Sequence, residues 1–523
     1  MSCVGQGARF HSFGDLNMLL PLTGGDPALG PATFTRMVLP FAYHLRMLRR
    51  QRRETDRICW TACEPEQHEP VTMAERLRYF TPETAEVLHG GRMIRARLPE
   101  ISEDARGKLD LGDEPLDWWR GGKRCPMRVR MGAPHILLFE TKAGNIQSPS
   151  ALQMGLLVLE FSFHREVDWD AILAFNEAFR MFRQPFVGHK RAPLDKLVAP
   201  WLPPEVADDL PREGERAYLA PWLSLLALPL VKNNGEVHEL MRPGWLQRAY
   251  DNDIASVIAP NALVLPDNRA FVWTAVVGPA GALALHSQRP HLTRGWTNLV
   301  NVDQPSSARN AEVSGFDKDW AQAHSYLRWS PRTLYGFTQH SGVALVPNWT
   351  EPPVWQHFRT LYFDQACLLL YLRSAIFALS AQISGISRDM VQRNVVGDAA
   401  FRRLEHDFSV FTNLYQFPLL SHQQQGVELY EAQRKALDID DFYDEVGKEI
   451  QHMAEMYDRE HDRKIRTVGI LIAVAAILGT VMGDMGVLEY ITAKDAAEVH
   501  GAIAAELALI VALLAWCAWR LRK

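Results

Sequence analysis

Residues 465–485 read IRTVGILIAVAAILGTVMGDM, and residues 502–519 read AIAAELALIVALLAWCAW. Each stretch has the length an α-helix needs to cross roughly 30 Å of hydrocarbon at a rise of about 1.5 Å per residue. The link between them, residues 486–501 (GVLEYITAKDAAEVHG), is polar and too short for a domain. Either stretch alone also fits a buried helix of a soluble core. Two in tandem, with basic residues on their outer flanks, predict a transmembrane helical hairpin, and the rest of the chain is expected to be tethered to a bilayer.

Charge gives the expected orientation. Arg459, Arg463, Lys464 and Arg466 gather at the start of the first stretch, and Arg520, Arg522 and Lys523 follow the second. Asp484, Glu489, Asp495 and Glu498 lie around the link, against Lys494. Positive residues stay on the cytoplasmic side, so both chain ends are expected in the cytoplasm and the link outside. This makes a multi-pass protein of the cell (inner) membrane. The start, MSCVGQGARFHSFGD, contains no apolar h-region, so insertion is expected to be directed by the hairpin.

With 523 residues, 22% of them charged, and a mean hydropathy of −0.15, most of the chain is ordinary water-facing protein. A net charge of −5 gives no general electrostatic reason to expect a nucleic-acid partner. Six scattered cysteines suit a reducing compartment.

The boundaries fall as follows. Residues 1–130 have no clear pattern; FTRMVLPFAYHLRMLRRQRR, within 31–53, is compatible with a helix ending in basic residues. Cys59-x3-Cys63 with His68 lacks a second ligand pair at zinc-finger spacing and reads as two ordinary cysteines. Residues 131–350 read as a cytoplasmic α+β domain. HILLFETKAG and MGLLVLEFSFHRE are strand-like, the second with Leu157, Leu159, Phe161 and Phe163 alternating along it, and WDAILAFNEAFRMF is an amphipathic helix. RAFVWTAVVG and LYGFTQHSGVALV read as further strands, LAPWLSLLALPLV as core, and SSARNAEVSG as a surface connection.

Residues 351–464 read as a helical stalk. VWQHFRTLYFDQACLLLYLRSAIFALSAQI (354–383) is apolar enough to suggest another span, but Arg359, Asp364 and Arg373 within it favour a buried cytoplasmic helix. A second helix is expected over about 399–414. From Asp438 onward, Ile439, Phe442, Val446, Ile450, Met453 and Tyr457 recur at steps of three and four, one face of a helix. Nothing interrupts it before 485, which predicts one continuous helix of roughly 70 Å.

A sheet-bearing cytoplasmic domain, long stalk helices and a two-span C-terminal hairpin resemble the CorA-like magnesium transporter superfamily. The stretches GLLVLEFSFHREVDWDAILAFNEAFRMF, SPRTLYGFTQHSGVAL and FTNLYQFPLLSHQQQGVELYEA, with DFYDEVGKEI, are similar to a divergent bacterial branch of it. The resemblance implies a homo-oligomer, a pentamer in that family, with the first span lining a pore for Mg²⁺ or another divalent cation. It implies no permanently bound cofactor. That family carries Gly-Met-Asn at the outer end of the first span, where this chain has Gly483-Asp484-Met485. The glycine is kept and the asparagine is absent.

The candidate pore and selectivity residues are accordingly Thr480, Gly483, Asp484 and Met485. Gly469, Ala473, Ala476, Thr480 and Gly483 fall on one stripe, which serves equally for close helix packing or for a narrow pore wall. A ring of Asp484 carboxylates would concentrate divalent cations, while a single such Asp also suits a helix end at headgroup depth. Glu506, an acid within the second span, is a secondary candidate. Asp438, Asp440, Asp441, Asp444 and Glu445 open the stalk helix, where acids complement the helix dipole. Between subunits the same acids would make a cytoplasmic divalent-cation sensor. No P-loop, Rossmann glycine pattern, GxSxG or HExxH occurs, and His238-Glu239 lacks a second histidine, so an enzyme is not expected. The other expectation is a membrane-anchored sensor or effector, for example in stress or anti-phage defence, acting on the bilayer without selective magnesium transport.

Overall fold

Val, Ile, Phe and Trp concentrate in short runs spread over the first two thirds of the chain, and these runs assemble into one mixed sheet. The computed structural model describes residues 33–48, 58–63, 71–101, 129–139, 153–163, 167, 169–183, 192–214, 216–240, 269–278, 290–303, 316–326, 328, 333–347, 353–393, 398–415 and 419–492. SSARNAEVSG, His68, the expected second span at 502–519 and Glu506 lie outside them. The chain divides into two compact units, 1–382 with 406–443, and 383–405 with 444–523.

The first unit holds the sheet. Its strands are β1 (Phe34–Ala42), β2 (Arg46–Met47), β3 (Trp60–Ala62), β4 (Met93–Arg97), β5 (Val129–Met131), β6 (His135–Phe139) and β7 (Met154–Phe163). They continue with β8 (Leu230–Val231), β9 (Val237–Glu239), β10 (Phe271–Gly278), β11 (Ser325–Tyr326), β12 (Leu334–Phe337) and β13 (Ser341–Pro347). The order across the sheet is β11-β12-β13-β10-β1-β7-β6-β4-β3-β8-β9-β2, with β5 beside β7. Among the described strands, β10–β13 and β3–β8 run parallel and the other pairs antiparallel. Strands from before residue 130 and after it are therefore hydrogen-bonded into the same sheet.

The helices, in order, are α1 (Met73–Tyr79), α2 (Pro82–His89), α3 (Trp169–Phe179), α4 (Leu194–Val198), α5 (Pro204–Asp208), α6 (Arg216–Leu226), α7 (Pro290–Asn301) and α8 (Phe316–Ala323). Five more follow: α9 (Pro353–Arg359), α10 (Leu361–Arg393), α11 (Asp398–Tyr415), α12 (Gln424–Ala436) and α13 (Ile439–Thr492).

The stretch expected to be a helix near residue 34 is instead β1, at the centre of the sheet. Thr35, Val38 and Phe41 favour the pleated backbone, and Pro40 would have broken a helix interior. Pro40 is tolerated because β10 pairs only with Phe34–Val38, leaving β1 with a single partner strand at that point. The strands HILLF and MGLLVLEFSF and the helix α3 form where the sequence pattern predicts them, and the strand-like stretch 334–346 is divided into two antiparallel strands, β12 and β13.

The two faces of the sheet pack differently. On one, Met37, Leu39, Leu157, Leu159 and Phe161 join the main core beneath α3 and α6. Phe161 meets Phe175 edge-on at 5.0 Å, and Trp60 donates its indole N–H to Leu225 O at 3.1 Å. Thr35, Thr274 and Asn176 form a satisfied buried polar trio there. On the other face, Trp273 stacks on Phe358 at 4.2 Å and Phe139 on Tyr371 at 4.2 Å, covering the sheet with α9 and the first half of α10.

The helix α13 runs unbroken for 54 residues, roughly 80 Å at about 1.5 Å per residue. Its predicted apolar stripe is the face that packs. Ile439, Val446, Ile450 and Met453 are buried. Within the first unit Phe442 meets Phe377 at 5.1 Å, and within the second Tyr457 stacks on Phe401 at 4.3 Å.

Candidate functional site

Two apolar helical stretches differ in what covers them. Among the described residues, Val354–Asp389 is the helical segment long and apolar enough to cross a membrane, and 67% of its most apolar window is buried inside the protein. The expected first span at 465–485 appears among the described residues only as a shorter apolar segment, Ile465–Ala476. No described residue of that segment is buried, and Ile465, Ile470, Ile472 and Val474 are 57%, 59%, 57% and 46% exposed. These four side chains lie at different angles around the helix, and only Val468, Leu471 and Ala475, along one side, are partly covered. Isolated exposed apolar residues are ordinary; a bare stretch of this length in water is not.

The charged residues in Val354–Asp389 explain why that helix is covered. Asp364 on α10 is 2% exposed at its side chain and sits among three basic groups carried by other elements. Arg76 on α1 donates to Asp364 Oδ2, Arg95 on β4 donates from Nη2 to Oδ1 at 2.8 Å, and His89 Nε2 at the end of α2 lies 3.9 Å away. Burial pushes the Asp364 carboxyl up, but Arg76 and Arg95 overcome this and hold it below the usual carboxylate range. Burial lowers His89 to about 4, against the attraction of Asp364, so its imidazole is neutral at neutral pH.

A second ionic group spans β1, β7 and α9. Arg36 Nε donates to Glu160 Oε2 at 2.7 Å, across directly opposed positions of β1 and β7, and Arg359 donates to Oε1. Arg36 also donates to Arg359 O at 2.6 Å and lies over the Phe363 ring at 4.2 Å. Burial raises the Glu160 carboxyl, and Arg359 and Arg36 outweigh it, pulling it down to about 2. Burial, with Arg36 adding to it, lowers neighbouring His135 to about 3. Four guanidinium groups thus converge on two carboxylates between the sheet and α9–α10. This band was missed in the sequence, although each charge stands out in an apolar run: Arg36 in FTRMVLPFA, Glu160 in GLLVLEF, Asp364 in LYFDQACLLL.

The residues selected from sequence are placed as follows. Thr480 is exposed, with its hydroxyl donating to Ala476 O at 3.0 Å. Gly483, Asp484 and Met485 continue the backbone of α13, and their side chains lie outside the described part. Asp438 immediately precedes α13 with a left-handed backbone, φ 52°, and accepts from Gln339 Nε2. Asp440 accepts from Arg434 Nε at 2.6 Å. Asp440 and Asp441 occupy the first turn of α13, as the dipole argument expects, with Asp444 and Glu445 a turn further on. Among the described residues no group of three or more His, Cys, Asp or Glu side chains is arranged to hold a metal ion.

The start of α13 also borders a cleft of about 950 Å³ lined by His324, Gln339, Arg434, Asp438 and Asp440, among others. Its charges are of both signs, with Arg434 paired to Asp440. A smaller cavity of about 380 Å³ is lined by Arg95, His89 and Lys232, among others.

No family model, curated protein or solved structure matches this chain.

Proposed function

We propose that the chain is an oligomeric integral membrane protein of the CorA-like type. In this reading α13 is a stalk leading into a first span at 465–485, residues 502–519 return as a second span, and both termini are cytoplasmic. First spans from several subunits surround an axis, and divalent cations of the Mg²⁺ type pass along it between Thr480 and Asp484. The observation that carries the proposal is the bare apolar surface of Ile465–Ala476 on a helix whose first turns, from Ile439 to Met453, are packed. Such a surface requires lipid or neighbouring copies of itself to cover it. One hairpin is too small to enclose a pore, so conduction requires an assembly.

Flux tests the transport step. Purified protein in liposomes should admit Mg²⁺, Co²⁺ or Ni²⁺, and Asp484→Ala should reduce that flux. Absence of flux at every magnesium concentration and membrane potential would overturn it.

A second reading is favoured by one observation, the absence of asparagine from Gly483-Asp484-Met485, where the transporters carry Gly-Met-Asn. Here the same hairpin belongs to a sensor or effector, which responds to a ligand in the sheet domain by disturbing the bilayer. This version predicts ligand-dependent leakage of a small dye from the liposomes without preference among cations.

A further inference from the structure

The cavity beside Arg95 is built from four elements. The end of α2 and the residues after it contribute Leu88, His89 and Gly91; the end of β3 contributes Ala62 and the adjoining Cys63; β4 contributes Met93, Ile94 and Arg95; and the β8–β9 turn contributes Lys232, Asn233 and Asn234. The turn is fixed by Gly235 N donating to Lys232 O at 2.8 Å and Glu236 N to Asn234 Oδ1 at 3.0 Å, with Gly235 at φ 78°. With its oxygen already accepting from Glu236 N, the Asn234 amide keeps both N–H donors to offer.

The chemistry of this lining is one-sided. It holds a guanidinium, an ammonium, an imidazole and two amides, and no carboxylate among the described residues. Asp364 is not part of this lining, and its two oxygens accept from Arg76 and Arg95. His89 supplies an independent sign of a missing ligand. Its side chain is 1% exposed, and neither Nδ1 nor Nε2 has a hydrogen-bond partner. An imidazole buried this way forgoes a hydrogen bond that a native interior almost always provides. The buried Arg95 Nε beside it is likewise without one.

We propose that this cavity binds a small phosphate-bearing molecule, held by Arg95, Lys232, the Asn233 and Asn234 amides and His89. Five donor-bearing side chains exceed what the two oxygens of a carboxylate can accept, and they suit the three terminal oxygens of a phosphate monoester. A volume of about 380 Å³ exceeds that of a bare ion and leaves room for the esterified group. Asp364, held by both arginines, fixes the guanidinium of Arg95 for this role, so Asp364 is a positioning residue. The site lies within the sheet unit and does not depend on the membrane reading.

The test is a titration of the full chain in detergent with inorganic phosphate, adenosine 5′-monophosphate, adenosine and acetate, at ionic strength fixed with chloride. Unfolding midpoint and binding heat are the readouts. Phosphate and the monophosphate are expected to bind saturably, the monophosphate more tightly, with adenosine and acetate silent. Lys232→Glu and Asn233→Asp, each adding a carboxylate at an outward-facing turn, should weaken both by on the order of tenfold or more. His89→Gln should weaken them less. Silence towards both phosphate compounds, acetate binding as tightly as phosphate, or undiminished binding in the two turn variants would each overturn the proposal.

Discussion

Arg95 and Asp364 are 269 residues apart in sequence, yet Arg95 Nη2 donates to Asp364 Oδ1 at 2.8 Å. This contact ties the long apolar helix α10 to the sheet, and that from Arg76 ties it to α1. Asp364→Leu separates the two possible fates of that helix. In a lipid-facing span the substitution would relieve a cost of about 2.5–3.5 kcal/mol for a central acid. In the packed helix it strands the buried guanidinium of Arg76 and the partly buried one of Arg95, and breaking such a buried network costs about 3–5 kcal/mol. The expected result is a large drop in the denaturation midpoint, followed by tryptophan fluorescence, with Asp364→Asn falling part of the way.

The same band sets a pH dependence. His89 and His135 have folded values of about 4 and about 3, below the ordinary 6.5. Below pH 6.5 the unfolded chain therefore takes up protons that the folded chain refuses, and stability declines as pH falls. Glu160, held at about 2 against an ordinary 4.5, and Asp364, also lowered, extend that decline below pH 4.5. Their contribution is fully present above the unfolded carboxylate values and is lost as pH falls towards the folded ones. Stability should be flat near pH 7–8, fall gently from 6.5, and fall steeply below 4.5. His89→Gln should flatten the upper part of the curve, in denaturant titrations across pH, and leave the acid limb in place.

Gly342 and Trp273 face each other across the parallel β10–β13 pair. A Cβ on Gly342 would come within 2.2 Å of the Trp273 ring. That ring is held by its stack on Phe358 and by its indole N–H donating to Phe358 O at 3.0 Å, so it has no room to retreat. Gly342→Ala should cost roughly 1–3 kcal/mol through overpacking, read as a lowered unfolding midpoint. An unchanged midpoint would contradict this strand register.

Periodicity made the stalk and several strands legible. The steps of Ile439, Phe442, Val446, Ile450, Met453 and Tyr457 mark the face of α13 that packs, because local spacing and burial agree there. The alternation of Leu157, Leu159, Phe161 and Phe163 likewise marks the face of β7 under α3. β1 was misread because a strand covered on both faces loses its alternation and resembles an apolar helix over a short run. The ionic band was illegible for a different reason. Arg36, Arg95, Glu160 and Asp364 meet only through the topology, and no local spacing announces such a meeting. The small cavity depends on the same long-range assembly, as His89 and Lys232 belong to elements with no sequence relation.

The bare segment of α13 gives the last prediction. Ile470 and Val474, 59% and 46% exposed, are near the middle of the proposed first span. Arginine at both would cost roughly 6 kcal/mol in a bilayer interior, and almost nothing on a water-exposed helix. Met456, 45% exposed on an earlier turn of the same helix, provides the matched control. A cysteine at Lys494, in the link, should react with a membrane-impermeant maleimide on intact cells, since the proposed topology puts it outside. The pair Ile470→Arg and Val474→Arg should abolish that labelling, because the first span no longer crosses, whereas Met456→Arg should leave it unchanged. Equal labelling in all three proteins would mean that α13 does not carry the chain across the membrane. Absence of labelling in the otherwise unsubstituted protein would place the link on the cytoplasmic side and remove the hairpin.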